Sequence, residues 1–186
     1  MLRWIAKFIF RVSGWETVGE IPHLDKAVFV AAPHTSNWDG FWLLVYKLTL
    51  GVEVRFLAKD TLFWWPLGNV LKALGAMPID REDSNSTVAQ LVQNFATADT
   101  LFLALAPEGT RQWTPHWKSG FYRIAKAADV PIVLAYIDFG KKQLGVGPTL
   151  PDGRSMEEDL ATIRAFYAGV RGKHPELQGP VAFPPQ

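Results

Sequence analysis

The chain has 186 residues, 48 % hydrophobic and 20 % charged, with a formal net charge of +1. That balance supports a full apolar core in one domain, and it supplies no global field for nucleic acid. With no cysteine, disulfides, thiolate nucleophiles and cysteine metal sites are excluded.

Residues 2–12 read as an amphipathic helix. Arg3, Lys7 and Arg11 fall on one narrow stripe, and Trp4, Ile5, Phe8, Ile9 and Val12 cover most of the opposite side. A basic stripe beside a broad aromatic face suits a helix lying in a membrane interface; a helix docked on the protein core is the other reading. Residues 1–14 are therefore set apart as an interface helix, and residues 15–186 as a single domain. The most apolar stretch, residues 40–52, contains Lys47 and falls short of the ~18 residues that span a bilayer. No small-residue cleavage site follows an apolar core, so no signal peptide is expected.

Farther along, residues 27–32 form a short apolar run expected to be a strand buried on both faces. A helix over 38–50 follows, with Ser36 or Asn37 as its N-cap. Strands are expected at 54–58, 76–79, 100–106 and 131–137, with a further one at 143–146. Helices are expected at 66–74, around Val88 to Phe95, at 120–128, and from Met156 to Val170. The tail beyond Gly172 is rich in Pro and Gly and is expected to be irregular. Strands alternating with helices predict an α/β fold: a single domain with a central, mostly parallel or mixed sheet flanked by helices.

Three segments at predicted strand ends carry chemistry. The first, Pro33-His34-Thr35-Ser36-Asn37-Trp38-Asp39, lies between a buried strand and a helix start, where open α/β sheets bind ligands. A His and an Asp so spaced come within hydrogen-bond distance across the turn. The carboxylate then fixes the imidazole tautomer and leaves the other ring nitrogen free to take a proton. Taken bare, the spacing favours a loop His and a first-turn helix acid, and it is the company of the other segments that changes the reading. The second segment is Pro107-Glu108-Gly109-Thr110-Arg111. Its Gly permits close backbone approach, its Arg offers a planar fork for phosphate, and Glu108 would hold that Arg or orient a hydroxyl. The third, Ile79-Asp80-Arg81, adds another Arg at a strand end. A His base and two arginines at one sheet edge describe a site for a phosphorylated hydroxyl compound.

These segments together resemble the glycerolipid acyltransferase family, typified by 1-acylglycerol-3-phosphate acyltransferases. The likeness runs over about residues 27–137 in four ordered blocks. His34 and Asp39 match the His-x4-Asp block. Lys59, Leu62, Phe63, Pro66, Gly68, Gly75 and Arg81 look like the second, Glu108-Gly109-Thr110-Arg111 matches the third, and Val130-Pro131-Ile132-Val133 resembles the fourth. Pro33 stands where some members have Asn, and Leu134 where a second Pro is frequent.

The resemblance implies that His34 is the base and Asp39 its partner. It implies that Arg81 and Arg111 bind an acceptor phosphate, and that Glu108, Gly109, Thr110 and Lys59 belong to the substrate site. It also implies transfer of a fatty acyl group from acyl-CoA or acyl-carrier protein to a lysophospholipid hydroxyl, 1-acylglycerol-3-phosphate giving phosphatidate. Another lipid acceptor (an ornithine lipid, or transacylation between phospholipids) and a non-catalytic lipid-binding module are the alternatives. No cofactor beyond the co-substrate, no metal and no nucleic acid are expected; His23, His116 and His174 are isolated and lack ligand spacing. The expected location is peripheral, on the cytoplasmic face of the cell membrane. With neither Cys nor a Gly-x-Ser-x-Gly elbow, nothing argues for an acyl-enzyme.

Several aromatic and basic side chains stay open between two readings. Trp64 and Trp65 fit a bilayer surface or, for at least one, the core; Trp113 and Trp117 fit a donor contact or a cover for the sheet. Lys118, Arg123, Lys126, Lys141 and Lys142 fit phosphates of the donor or an ordinary solvated face.

Overall fold

The computed structural model describes residues 2–79 and 84–184. In chain order the elements are α1 (Leu2–Ser13), β1 (Glu16–Val18), β2 (Lys26–Ala32), α2 (Asn37–Leu50), β3 (Val54–Lys59), α3 (Leu67–Ala73), β4 (Ala76–Ile79), α4 (Ser84–Thr97), β5 (Leu101–Leu105), α5 (Gly120–Ala128), β6 (Ile132–Asp138), β7 (Gln143–Thr149) and α6 (Met156–Tyr167). Single 3-10 turns occupy Asp60–Leu62 and Pro175–Leu177.

The strands form one mixed sheet in the order β1-β7-β6-β2-β5-β3-β4. From β6 to β4 all neighbours are parallel; β7 runs antiparallel to β6, and β1 pairs parallel with β7. The α/β expectation holds, with the mixed rather than the purely parallel arrangement.

Alternation along β2 explains why both sheet faces are covered. Val28, Val30 and Ala32 point into one core with Leu91 and Phe95 of α4, Phe121 and Ile124 of α5, and Ile163 and Tyr167 of α6. Ala27, Phe29 and Ala31 point into the other, with Trp42 and Val45 of α2 and Ala6 and Phe10 of α1. A central strand buried on both faces reads as an unbroken apolar run because each side chain finds a helix. Only the terminal Lys26 escapes full burial, and its ammonium donates to the Phe95 carbonyl at 2.8 Å.

Helix α1 carries three stripes. Ala6 and Phe10 are buried against the domain, with Phe10 edge-on to Trp42 at 5.7 Å. Arg3, Lys7 and Arg11 form the basic stripe, and Arg3 donates to the Thr49 carbonyl at 3.1 Å. Trp4, Ile5, Phe8 and Val12 are exposed, Trp4 at 77 %. The helix therefore docks on the core and still presents an aromatic arc outward.

Three features escaped the sequence. The strand β1 has three exposed residues and no apolar alternation, so only its pairing with β7 makes it visible. The strand β7 continues through Gly145, Gly147 and Pro148, residues that disfavour strands, because β6 pairs with it as far as Thr149, with β1 on its other side up to Gly145. The tail is ordered: the Ala182 carbonyl accepts from the Trp117 amide at 2.7 Å, and the Val181 carbonyl from Arg164 at 2.7 Å.

Candidate active site

The chain leaves β2 toward β3 and leaves its neighbour β5 toward β6, in the opposite direction. The two connections pass to opposite faces, α2 on one and α5 on the other, and adjacent parallel strands so connected open a crevice at their carboxyl ends, where doubly wound sheets bind ligands. The His34 segment follows β2 and the Glu108–Arg111 segment follows β5, so both rise from that crevice.

The His34 loop is organised by one carboxylate. Asp39 is the third residue of α2, and its carboxylate reaches back to the N-cap backbone while Ser36 caps the helix, a reciprocal capping box. Asp39 Oδ2 accepts from the Thr35 amide at 2.7 Å, the Ser36 amide at 2.8 Å and His34 Nδ1 at 3.1 Å. A carboxylate gathering three donors orients the ring so that Nδ1 carries the hydrogen. Nε2 then keeps its lone pair, on a side chain 29 % exposed beside a carboxylate 1 % exposed. The helix-acid reading and the base-partner reading of Asp39 are thus one arrangement.

Glu108 lies beneath this loop. It is 8 % exposed, and Oε1 accepts from the His34 amide at 3.0 Å. Burial pushes its carboxyl above the ordinary range, while hydrogen bonds from its own backbone and from the His34 amide pull it partly back. Glu108 therefore supports the backbone at His34 and makes no ion pair with Arg111 among the described residues. Gly109 turns the chain at a φ of +64°, and a Cβ there would meet the Lys118 side chain at 2.9 Å. Lys118 is held over the turn by its own amide, which donates to the Pro107 carbonyl at 2.7 Å.

Arg111 is exposed and donates from Nη1 to Asn37 Oδ1, at the first residue of α2. That bond bridges the loops after β2 and β5. Thr110 Oγ1 accepts from the Gln112 amide at 3.2 Å, shaping the same turn. Lys59 is exposed at the end of β3, two strand spacings from β2 and so ~10 Å away across the sheet. Arg81 lies outside the described residues. The structure thus brings His34, Asp39, Glu108, Gly109, Thr110 and Arg111 together and puts Lys59 on the same edge.

Asn37 was read only as an N-cap candidate, a place that Ser36 takes, and Thr35 was given no role of its own. Asn37 sits inside the His-x4-Asp spacing, directly after the Ser36 cap, and that position was the available signal for it. Thr35 is 4 % exposed, and its hydroxyl accepts from the His174 amide at 3.2 Å, tying the tail to the catalytic loop. No local pattern marks that contact, because 139 residues separate its ends. Trp117, read as a donor contact or a sheet cover, is core at 3 % exposure, whereas Trp64, Trp65 and Trp113 are exposed.

A crevice at the carboxyl ends of two parallel strands, holding an imidazole, its carboxylate and a guanidinium, is the kind of site found in α/β enzymes. Residues 10–138 match the acyltransferase family, and the chain belongs to that family. It is 29 % identical over 138 residues to the 1-acyl-sn-glycerol-3-phosphate acyltransferase of Streptococcus pneumoniae (strain ATCC BAA-255 / R6), covering 69 % of this chain and 49 % of that relative. The chain thus spans about half that relative's length. The fold is similar to the crystal structure of the 1-acyl-sn-glycerophosphate acyltransferase PlsC from Thermotoga maritima, with a TM-score of 0.56 and 21 % identity, covering 87 % of this chain and 73 % of that one.

Proposed function

We propose that the protein transfers a fatty acyl group from a thioester to the free hydroxyl of a lysophospholipid, with 1-acylglycerol-3-phosphate as acceptor and phosphatidate as product. The observation that carries this reading is His34, steadied by Asp39 at 3.1 Å with Nε2 free, in a crevice whose other wall carries Arg111. The family and the relative's name agree with it.

In this mechanism Nε2 takes the proton as the acceptor oxygen attacks the thioester carbonyl. The C–O bond forms, the tetrahedral oxyanion collapses, the C–S bond breaks, and the imidazolium returns its proton to the departing thiolate. General base catalysis of this kind contributes ~10²–10⁴-fold. The amides of His34, Thr35, Ser36 and Trp38 already donate to Glu108, Asp39 and Ser36, and that of Gly109 to the Ala106 carbonyl. Oxyanion stabilisation is therefore assigned to the amides left over, those of Asn37 at the helix start and of Thr110 and Arg111 in the facing turn. Arg111 is the acceptor-phosphate ligand nearest the base. The donor is acyl-CoA or acyl-carrier protein.

The work is done at the cytoplasmic face of the membrane. Among the described residues no helix is long and apolar enough to cross a membrane. The exposed arc of α1 and the exposed Leu62, Trp64, Trp65 and Val70 beside the catalytic edge suit a lipid interface. Acyl transfer measured with purified protein, several lysolipids and both thioester donors tests the function. Phosphatidate forms with the wild type, and a His34→Ala variant that turned over normally would remove the base assignment.

A further inference from the structure

A second recess lies on the other side of the His34 loop. Because β2 sits between β5 and β6, whatever follows β6 flanks His34 opposite Arg111. There the β6–β7 turn, the start of α2, Trp15 and the segment after α6 border an open recess of about 270 Å³ lined by Trp15, Trp38, Trp42, Phe139, Lys142 and Lys173. Its walls are rings: Trp15 stacks on Trp42 at 4.4 Å, and Phe139 meets Trp15 edge-on at 5.0 Å.

The rim is cationic. Lys173 Nζ stands 4.8 Å over the Trp38 ring, and Lys142 Nζ donates to the Ser13 carbonyl at 3.3 Å. Neither ammonium has a carboxylate partner among the described residues, whereas neighbouring Lys141 lies 3.8 Å from Asp138. The backbone at Lys142 is held at a φ of +52°, a left-handed conformation that a glycine adopts without strain and a lysine does not. The recess is coupled to the base: Trp38 lies within the His-x4-Asp segment, and the chain beside Lys173 rests on the catalytic loop. A Cβ at Gly172 would come within 2.7 Å of the Thr35 hydroxyl oxygen. Two ammonium groups rule the cage unfit for a cationic headgroup and select an anion joined to a slender or planar body.

We propose that this recess binds the phosphorylated end of the thioester donor, its phosphate on Lys142 and Lys173 and its arm or adjoining base against the indoles. The inference rests on the acyl-transfer reading above. Donor and acceptor then approach His34 from opposite flanks, the donor over the end of β6 and the acceptor over the end of β5. The shared chemistry is the phosphopantetheine phosphate, carried by both coenzyme A and an acyl-carrier protein; coenzyme A adds nucleotide phosphates.

The test is the double variant Lys142→Asn/Lys173→Gln, in which Asn tolerates the left-handed backbone. Steady-state KM values are measured for palmitoyl-CoA, palmitoyl-carrier protein and lysophosphatidate, alongside calorimetric titration of free coenzyme A. The donor KM rises about ten-fold or more and loses much of its salt dependence, while the lysophosphatidate KM and the melting curve hold. A rise with both donors assigns the recess to the phosphopantetheine phosphate, and a rise with palmitoyl-CoA alone assigns it to the nucleotide. Unchanged KM for both donors, or a rise in the acceptor KM instead, overturns the proposal. If the wild type acylates no lysolipid, it is the acyl-transfer reading that fails. The coenzyme A titration still judges the recess, whose binding heat must be lost in the double variant.

Discussion

The two loops that meet at the crevice spend their polar groups in opposite ways. The loop from Pro33 to Asp39 turns inward: one buried carboxylate collects three donors, a second accepts the His34 amide, and the Thr35 hydroxyl accepts from the tail. The turn from Gly109 to Trp113 turns outward, with Arg111 and Trp113 exposed and Asn37 as the one side-chain partner of Arg111 among the described residues. The base must hold a fixed orientation before substrate arrives, and that costs internal hydrogen bonds. A recognition surface gains by leaving its donors for the ligand. Substitutions in the first loop should therefore act on rate and, where they remove a buried acceptor, on folding as well, and those in the second on substrate affinity.

The largest separation comes from His34→Ala. Its turnover should fall by ~10²–10⁴-fold or more, with a melting temperature near wild type because the side chain is part-exposed and makes one side-chain bond. Asp39→Ala should lose turnover by ~10²-fold or more and also unfold earlier. Removing the shared acceptor of two buried amides costs ~1–3 kcal/mol, or roughly 2–4 °C per kcal/mol in a chain of this size. A melting curve unchanged in Asp39→Ala would erase the contrast between the loops. Arg111→Ala should raise the lysophosphatidate KM about ten-fold with stability within about 0.5 kcal/mol of wild type. A loss confined to the donor would reverse the orientation of the site.

Glu108→Gln sharpens the comparison through pH. Burial raises the Glu108 carboxyl, so the native state holds that proton more tightly than the unfolded chain does. The stability this group contributes is complete below the ordinary carboxylate range and is lost as pH climbs through the raised value. Glutamine has no proton to lose and can still accept from the His34 amide. The melting temperature of Glu108→Gln relative to wild type should therefore increase with pH, and a difference that shrinks would contradict the raised carboxyl. The smallest effect is expected from Trp4→Ser/Phe8→Ser, which should weaken binding to anionic vesicles and leave turnover on detergent-dispersed substrate intact. Truncating residues 1–13 is the poorer experiment, since it also strips Ala6 and Phe10 from the core around Trp42.

Local pattern carried most of the fold. The run at 27–32 announced a strand buried on both faces, and Ser36 announced the start of α2, because burial and capping act within a few residues. The His34–Asp39 pair was legible for the same reason: the two residues are joined by a short turn. What stayed hidden depends on distant partners. Glu108 was read as facing substrate or Arg111, and its bond to the His34 amide exists only once β2 and β5 are neighbours. The tail's seat on Thr35 and the meeting of Lys142 with Trp38 and Trp15 are likewise products of topology.

The double duty of Asp39 bears on how the motif can decay. A descendant that abandoned chemistry could replace the imidazole at little structural expense, yet it would still need the carboxylate to close the first turn of α2 over the Thr35 and Ser36 amides. On the proposed base assignment, an aspartate at this position would by itself mark architecture, and the imidazole at the His34 position would be what distinguishes a working enzyme from an inert scaffold.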